Sequence, residues 1–193
     1  RYPVVYYLDA YWDFPLLYAT YGNLRYDRAI PEVILVGLSI AGDGYTAYRS
    51  RYFSIFSDPK KKHLTGSAGL LYEHITQDII PTIDHQLRTQ ANPAGRVLAG
   101  QSMGGLFTLY GLWQKPQTFS RFIAVNPAVA GSEVELGRLE QARNEKSLNG
   151  RLFISYGNKE YAPFRDPIIL YSQQLLARNH SGLALSTQAL EDM

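Results

Sequence analysis

Two stretches of the chain, Val4-Val5-Tyr6-Tyr7-Leu8 and Val33-Ile34-Leu35-Val36-Gly37-Leu38, are apolar at consecutive positions and rich in β-branched and aromatic residues. A strand with one wet face alternates polar and apolar residues. A strand that is apolar throughout needs cover on both faces, the setting of a parallel sheet between helices. Parallel neighbours also need a crossover, and the intervening segment from Trp12 to Tyr21 has helical length. The opening of the chain therefore predicts a β-α-β unit.

The same alternation continues. From Leu70 to Arg88, apolar residues recur at Leu70, Leu71, Ile75, Ile79, Ile80, Ile83 and Leu87, a helical spacing in which Pro81 is expected to bend or divide the helix. Val97-Leu98-Ala99 reads as a short buried strand, and Gly104 to Trp113 as a small-residue helix ending before Lys115-Pro116. Phe122 to Val125 and Leu152 to Tyr156 supply two more strands, separated by a weakly helical stretch from Glu133 to Lys146. Ile168 to Arg178 predicts a further helix, and Leu183 to Leu190 a last strand. Ala41 to Ser67 has no sustained period and is expected to be a long functional loop. With 193 residues, 46% of them hydrophobic, the chain is expected to form one domain over residues 1–193. The predicted class is α/β, a three-layer αβα sandwich with a mostly parallel sheet and ligands at the carboxyl ends of its strands.

The formal net charge is +2, and no basic cluster exceeds Lys60-Lys61-Lys62, which beside Asp58 and Pro59 reads as a solvated loop. A phosphate-tracking surface, and hence a nucleic-acid partner, is not expected. The absence of cysteine removes disulfides, thiolate metal sites and cysteine nucleophiles, and leaves cytoplasmic and periplasmic or secreted locations equally open. No apolar run approaches the roughly 20 residues needed to span a bilayer.

The chemistry concentrates at Gly100-Gln101-Ser102-Met103-Gly104. A serine hydroxyl is a poor nucleophile, and the α/β-hydrolase arrangement exposes it on a sharp strand-to-helix turn where flanking side chains would clash. The Gly-x-Ser-x-Gly pattern here follows a predicted strand and precedes a predicted helix, the context that this turn requires. Ser102 is therefore the candidate nucleophile. Acyl transfer also needs two N–H donors for the developing oxyanion. Met103 N–H, at the start of the helix, is one candidate, and Tyr11 N–H, in the turn Asp9-Ala10-Tyr11-Trp12 after the first strand, is the other. Asp9 is also placed to cap the following helix. The order in this fold is serine, acid, histidine. Glu160, in Gly157-Asn158-Lys159-Glu160 after the Leu152 to Tyr156 strand, is the first candidate acid and Asp166 the second. His63, His74 and His85 all precede Ser102, and His180 lies at a helix end, where a structural role is expected.

These residues together resemble the putative esterase family of enterochelin esterase, its periplasmic trilactone-hydrolysing relatives, feruloyl esterases and mycolyltransferases. The resemblance rests on Tyr2-Pro3-Val4-Val5-Tyr6-Tyr7-Leu8-Asp9, Ile30 to Gly37, Ile80-Pro81-Thr82-Ile83-Asp84, Gly100 to Phe107, and Pro116 with Phe119, in the family's order. It implies the α/β-hydrolase fold, Ser102 as nucleophile, Tyr11 and Met103 as oxyanion donors and Glu160 as acid. It further implies that Arg49 to Ser54 lines the cleft, with Arg51 and Tyr52 as substrate contacts. The chain departs from the family at Ala10 and Gln101, where glycine and histidine are usual. Family members carry strands before the Tyr-Pro-Val strand and a catalytic histidine after a segment resembling Leu190-Glu191-Asp192-Met193. The domain is accordingly expected to be incomplete at both ends, with the histidine just beyond Met193.

The expected activity is carboxylic-ester hydrolysis through an acyl-enzyme, on a siderophore, saccharide or other small-molecule ester, with no metal or cofactor and with the chain as given nearly inactive. A catalytically inactive hydrolase-fold binding protein and an acyltransferase of the mycolyltransferase type are the alternatives. Oligomeric state is not readable from the sequence.

Overall fold

In a computed structural model, which describes residues 1–39, 44–60, 65–114, 118–143 and 147–191, six parallel strands form one sheet. These are β1 (Val4–Tyr7), β2 (Ile34–Gly37), β3 (Arg96–Gln101), β4 (Arg121–Val125), β5 (Gly150–Gly157) and β6 (Leu183–Leu190), in the spatial order β2-β1-β3-β4-β5-β6. Val4 pairs with Ile34 on one side and with Arg96 on the other. The runs expected to be covered on both faces are covered unequally: Val4 and Tyr6 on one face of β1 are fully enclosed, Val5 and Tyr7 on the other are half-buried, and Ile34 to Val36 of β2, at the sheet edge, are half-buried throughout.

Seven α-helices link the strands among the described residues: α1 (Ala10–Tyr26), α2 (Tyr45–Tyr52), α3 (Ala68–His74), α4 (Ile80–Gln86), α5 (Met103–Trp113), α6 (Glu133–Gln141) and α7 (Ala162–Arg178). Every residue of α5 from Gly104 to Trp113 is buried, as expected for a helix that is apolar all round. It packs on β3 and β4, touches α6, and reaches α7 through Trp113 Nε1, which donates to Tyr171 Oη at 3.0 Å. Crossovers between parallel strands are right-handed. Because the step from β1 to β2 runs opposite to the step from β3 to β4, α1 is carried to the other face, giving three layers. Between β1 and β3 the winding reverses direction, and in such sheets a crevice opens outside the strand ends at that point. The turn after β1 and the turn after β3, which hold the candidate oxyanion donors and nucleophile, both lie there.

Two elements differ from expectation, and the helix with Pro81 is divided as expected. The stretch expected as a loop contains α2, whose tyrosines and arginines face several directions and so leave no apolar stripe for the sequence pattern to show. The helix with Pro81 is divided just before that residue: Ile75–Ile79 forms a π-turn between α3 and α4. A proline lacks an N–H and crowds the preceding turn, and widening that turn accommodates both effects. The helix α7 starts at Ala162, earlier than expected. Ala41, Lys61, Lys62, His63, Lys115, Pro116, Lys146, Asp192 and Met193 lie outside the described residues. No helix among the described residues is long and apolar enough to cross a membrane.

Candidate active site

Strand β3 ends at Gln101, helix α5 begins at Met103, and Ser102 alone makes the turn, with φ 54° and ψ −116°. A positive φ is uncommon for a residue with a Cβ and costs of order 1–3 kcal/mol, so it persists only where the surroundings enforce it. Here Ser102 N–H donates to Val125 O, while Ser102 O accepts from Leu106 N–H and Ala128 N–H, all at 2.9 Å. The flanking glycines follow from crowding. A Cβ on Gly100 would lie 2.5 Å from the carbonyl of Gly104, and one on Gly104 would lie 2.4 Å from Asp9 Oδ2.

Ser102 opens on a cleft of about 330 Å³ whose wall also contains Asn126, Pro127, Ala128, Glu160 and Phe164. The candidate acid and candidate nucleophile, which are far apart in sequence, thus share one cavity. The carboxylate of Glu160 is held at both oxygens: Oε2 accepts from Asn126 Nδ2 at 2.7 Å and Oε1 from Tyr161 N–H at 2.9 Å. Asp166 is on α7, 61% exposed and paired with Arg165, and it does not line this cleft. Of the described histidines, His74 pairs with Asp78 on the surface, at 2.7 Å. His180 Nε2 lies 2.7 Å from Glu140 Oε1, with its ring edge-on to Trp113. His85 is exposed near the end of α4. None of the three lines the Ser102 cleft.

Tyr11 and Met103 stand in the first turns of α1 and α5, where a helix leaves its N–H groups without intrahelical acceptors. Asp9 does not cap α1 as expected. It sits at φ 65°, 1% exposed, and makes no side-chain cap. Its Oδ1 instead accepts from Tyr45 Oη at 2.7 Å and from Arg49 Nε at 2.5 Å. The left-handed backbone explains this, because an N-cap that bonds its own helix has extended φ and ψ. Burial, then the hydrogen bond to Asp9 and its charge, push the Tyr45 hydroxyl far above its ordinary pKa, so Tyr45 stays a donor.

Arg51 and Tyr52 are placed elsewhere. The Arg51 guanidinium lies over the Tyr52 ring, 5.0 Å from its centroid, and Tyr52 lines a separate cavity with Val36, Tyr48, Leu71 and His74. Neither residue lines the Ser102 cleft. Two polar residues around the site, Tyr45 and Asn126, were not singled out from the sequence, and Arg49 entered only as the first residue of the segment expected to line the cleft. Arg49 opens the same Arg-x-Arg pattern as Arg51, and only the helical phase of α2 separates them. Asn126 follows β4 at its carboxyl end, where ligand-facing groups gather in such sheets, and that position was its one visible signal.

A parallel sheet with this winding, carrying a strained serine on the strand-to-helix turn at its reversal point, defines an α/β-hydrolase fold. Within that class, residues 1–163 match the family described as "Putative esterase", and the chain belongs to that family. It is 22% identical over 142 residues to "Uncharacterized protein YbbA" of Bacillus subtilis, covering 69% of this chain and 52% of the relative. The chain thus spans about half the length of that curated relative. Among solved structures, the BES protein from Bacillus cereus superposes with a TM-score of 0.85 at 22% identity, covering 100% of this chain and 76% of that one. An IroE-like serine hydrolase from Shewanella oneidensis gives 0.82 at 24% identity, covering 99% of this chain and 64% of that one. The siderophore hydrolase EstA from Aspergillus nidulans gives 0.79 at 19% identity, covering 100% and 76%. At these identities, what is shared is the fold.

Proposed function

We propose that this chain carries the nucleophile and acid of a serine carboxylic-ester hydrolase. The observation that carries the reading is Ser102, held at positive φ between β3 and α5 and facing a cleft shared with Glu160. Ser102 Oγ attacks the ester carbonyl carbon and its proton passes to a histidine. The oxyanion is met by the N–H groups of Tyr11 and Met103, and Glu160 orients the imidazole and stabilises its charged form. Collapse of the tetrahedral adduct expels the alcohol, which takes the proton back. Water then hydrolyses the acyl-enzyme by the same steps. The base is a histidine other than His74, His85 and His180, none of which reaches the cleft.

The substrate class we infer is an ester of siderophore type. Support comes from the neighbouring folds named as siderophore hydrolase and IroE-like serine hydrolase. Acyl transfer to another alcohol and simple ligand binding without turnover are the competing outcomes. The test is hydrolysis of p-nitrophenyl butyrate and of a siderophore trilactone by the protein as its gene encodes it, beside its Ser102→Ala variant. A loss of about 10³-fold or more in kcat for Ser102→Ala supports the reading. Equal rates for the two proteins refute it.

A further inference from the structure

The two N–H donors assigned to the oxyanion belong to different segments, the turn after β1 and the turn after β3. An oxyanion hole works only when both donors are fixed at the spacing of one oxygen atom. Some group must therefore hold one turn in register with the other, and the residues between them show which.

Asp9 lies two residues before Tyr11. Its Oδ1 accepts from Tyr45 Oη and Arg49 Nε, while its Oδ2 lies against Gly104, the residue after Met103. Arg49 spans the same gap from the other side: its second terminal nitrogen reaches Gln101 O, one residue before Ser102, at 3.5 Å. The rings continue the connection. Tyr45 stacks on Tyr11 with centroids 4.7 Å apart, and meets Trp12 edge-on at 4.6 Å. The Arg49 guanidinium lies over Trp12, 5.2 Å from its centroid. Tyr11 is thus packed on Tyr45, and Trp12 on both Tyr45 and Arg49, the two residues that bond Asp9. The pair is enclosed, with side-chain exposure of 2% for Asp9 and 15% for Arg49, so water competes weakly for it. A planar guanidinium can address two acceptors in fixed geometry, which a lysine cannot do.

Resting on the acyl-transfer reading above, we propose that Asp9, Tyr45 and Arg49 are positioning residues that lock the Tyr11 turn to the Ser102 turn and so set the spacing of the oxyanion hole. None of the three touches the reacting atoms. Their effect falls on the transition state, where the oxyanion forms, and not on binding of the neutral ester. Loss of the lock therefore lowers kcat and leaves KM in place.

The experiment compares the whole gene product, Ser102→Ala, Arg49→Ala, Arg49→Lys and Tyr45→Phe for p-nitrophenyl butyrate hydrolysis. The expected result is a fall of about 10²-fold in kcat for Arg49→Ala, with KM within about twofold of the parent. Methylguanidinium, which refills the vacated planar cation, is expected to restore part of that loss in a saturable way. Arg49→Lys is expected to fall between the two, since a point charge serves only one acceptor. Should Arg49→Ala fail to fold, Tyr45→Phe removes a single oxygen and is expected to lower kcat about tenfold, the value of one lost hydrogen bond to a charge. An unchanged kcat in Arg49→Ala, or a rise in KM alone, overturns the positioning role while leaving the esterase reading intact. A parent no faster than Ser102→Ala removes the esterase reading, and this inference with it.

Discussion

Replacing Gly104 with alanine tests the geometry of the turn with one added methyl group. The new Cβ would lie 2.4 Å from Asp9 Oδ2 and 3.2 Å from Leu8 Cβ, against ordinary contact beginning at 3.4 Å. The carboxylate cannot swing aside cheaply, because Tyr45 and Arg49 hold it at 2.7 and 2.5 Å. Overpacking of this kind costs about 1–3 kcal/mol. For a domain of this size each kcal/mol moves Tm by about 2–4 °C, so Gly104→Ala is expected to melt roughly 2–12 °C below the parent. Gly137, within α6, is the control: a Cβ there meets nothing within 4 Å. Gly137→Ala removes only backbone freedom, gains about 0.5–1 kcal/mol, and is expected to raise Tm. Scanning calorimetry on the two variants reads opposite signs if the packing at the turn is as described. A Gly104→Ala protein that melts at or above the parent refutes the argument.

Other consequences are as direct. Glu160→Gln keeps an acceptor for Asn126 but removes the charge, and is expected to lower kcat by about 10³-fold or more with little change in the melting curve; full activity would instead exclude Glu160 as the acid. His180→Ala deprives the nearly enclosed Glu140 of one of its two partners among the described residues, Arg178 being the other. It is expected to cost about 1–3 kcal/mol of stability and to leave the ester-hydrolysis rate unchanged; a collapse in rate would give His180 a chemical role. Burial, ahead of any neighbouring charge, raises the hydroxyls of Tyr6, Tyr48 and Tyr72 to about 12. Unfolded tyrosines ionise near 10, so above that pH the native state holds more protons than the unfolded chain. Stability is then complete below about pH 10 and is lost as pH rises towards about 12. Absorbance titration at alkaline pH should show a late group of tyrosines that joins the early group in denaturant, and one merged transition in the native protein would contradict this.

The sheet was legible because strands such as Val4 to Leu8, enclosed on one face and half-buried on the other, are continuously apolar. The turn was legible because Gly100 is required by crowding against Gly104 only four residues on, although Asp9, which crowds Gly104, is distant in sequence. What was hidden depends on helix phase and on distant contacts. Arg49 and Arg51 look alike in sequence, yet two positions in α2 send one guanidinium to Asp9 and the other over Tyr52. Asp9 reads as a helix cap until its left-handed backbone is known, and that conformation turns its carboxylate towards α2 and α5. Asn126 could not be paired with Glu160 from sequence, because their contact joins the ends of two strands 34 positions apart.

The central claim is that Ser102 is an activated nucleophile. Fluorophosphonate labelling of the whole gene product, followed by peptide mass spectrometry, tests it most directly, because the probe bonds only to a hydroxyl that attacks. One modified residue is expected, Ser102, with no labelling of Ser102→Ala. A label on another residue, or labelling that persists in Ser102→Ala, would contradict it.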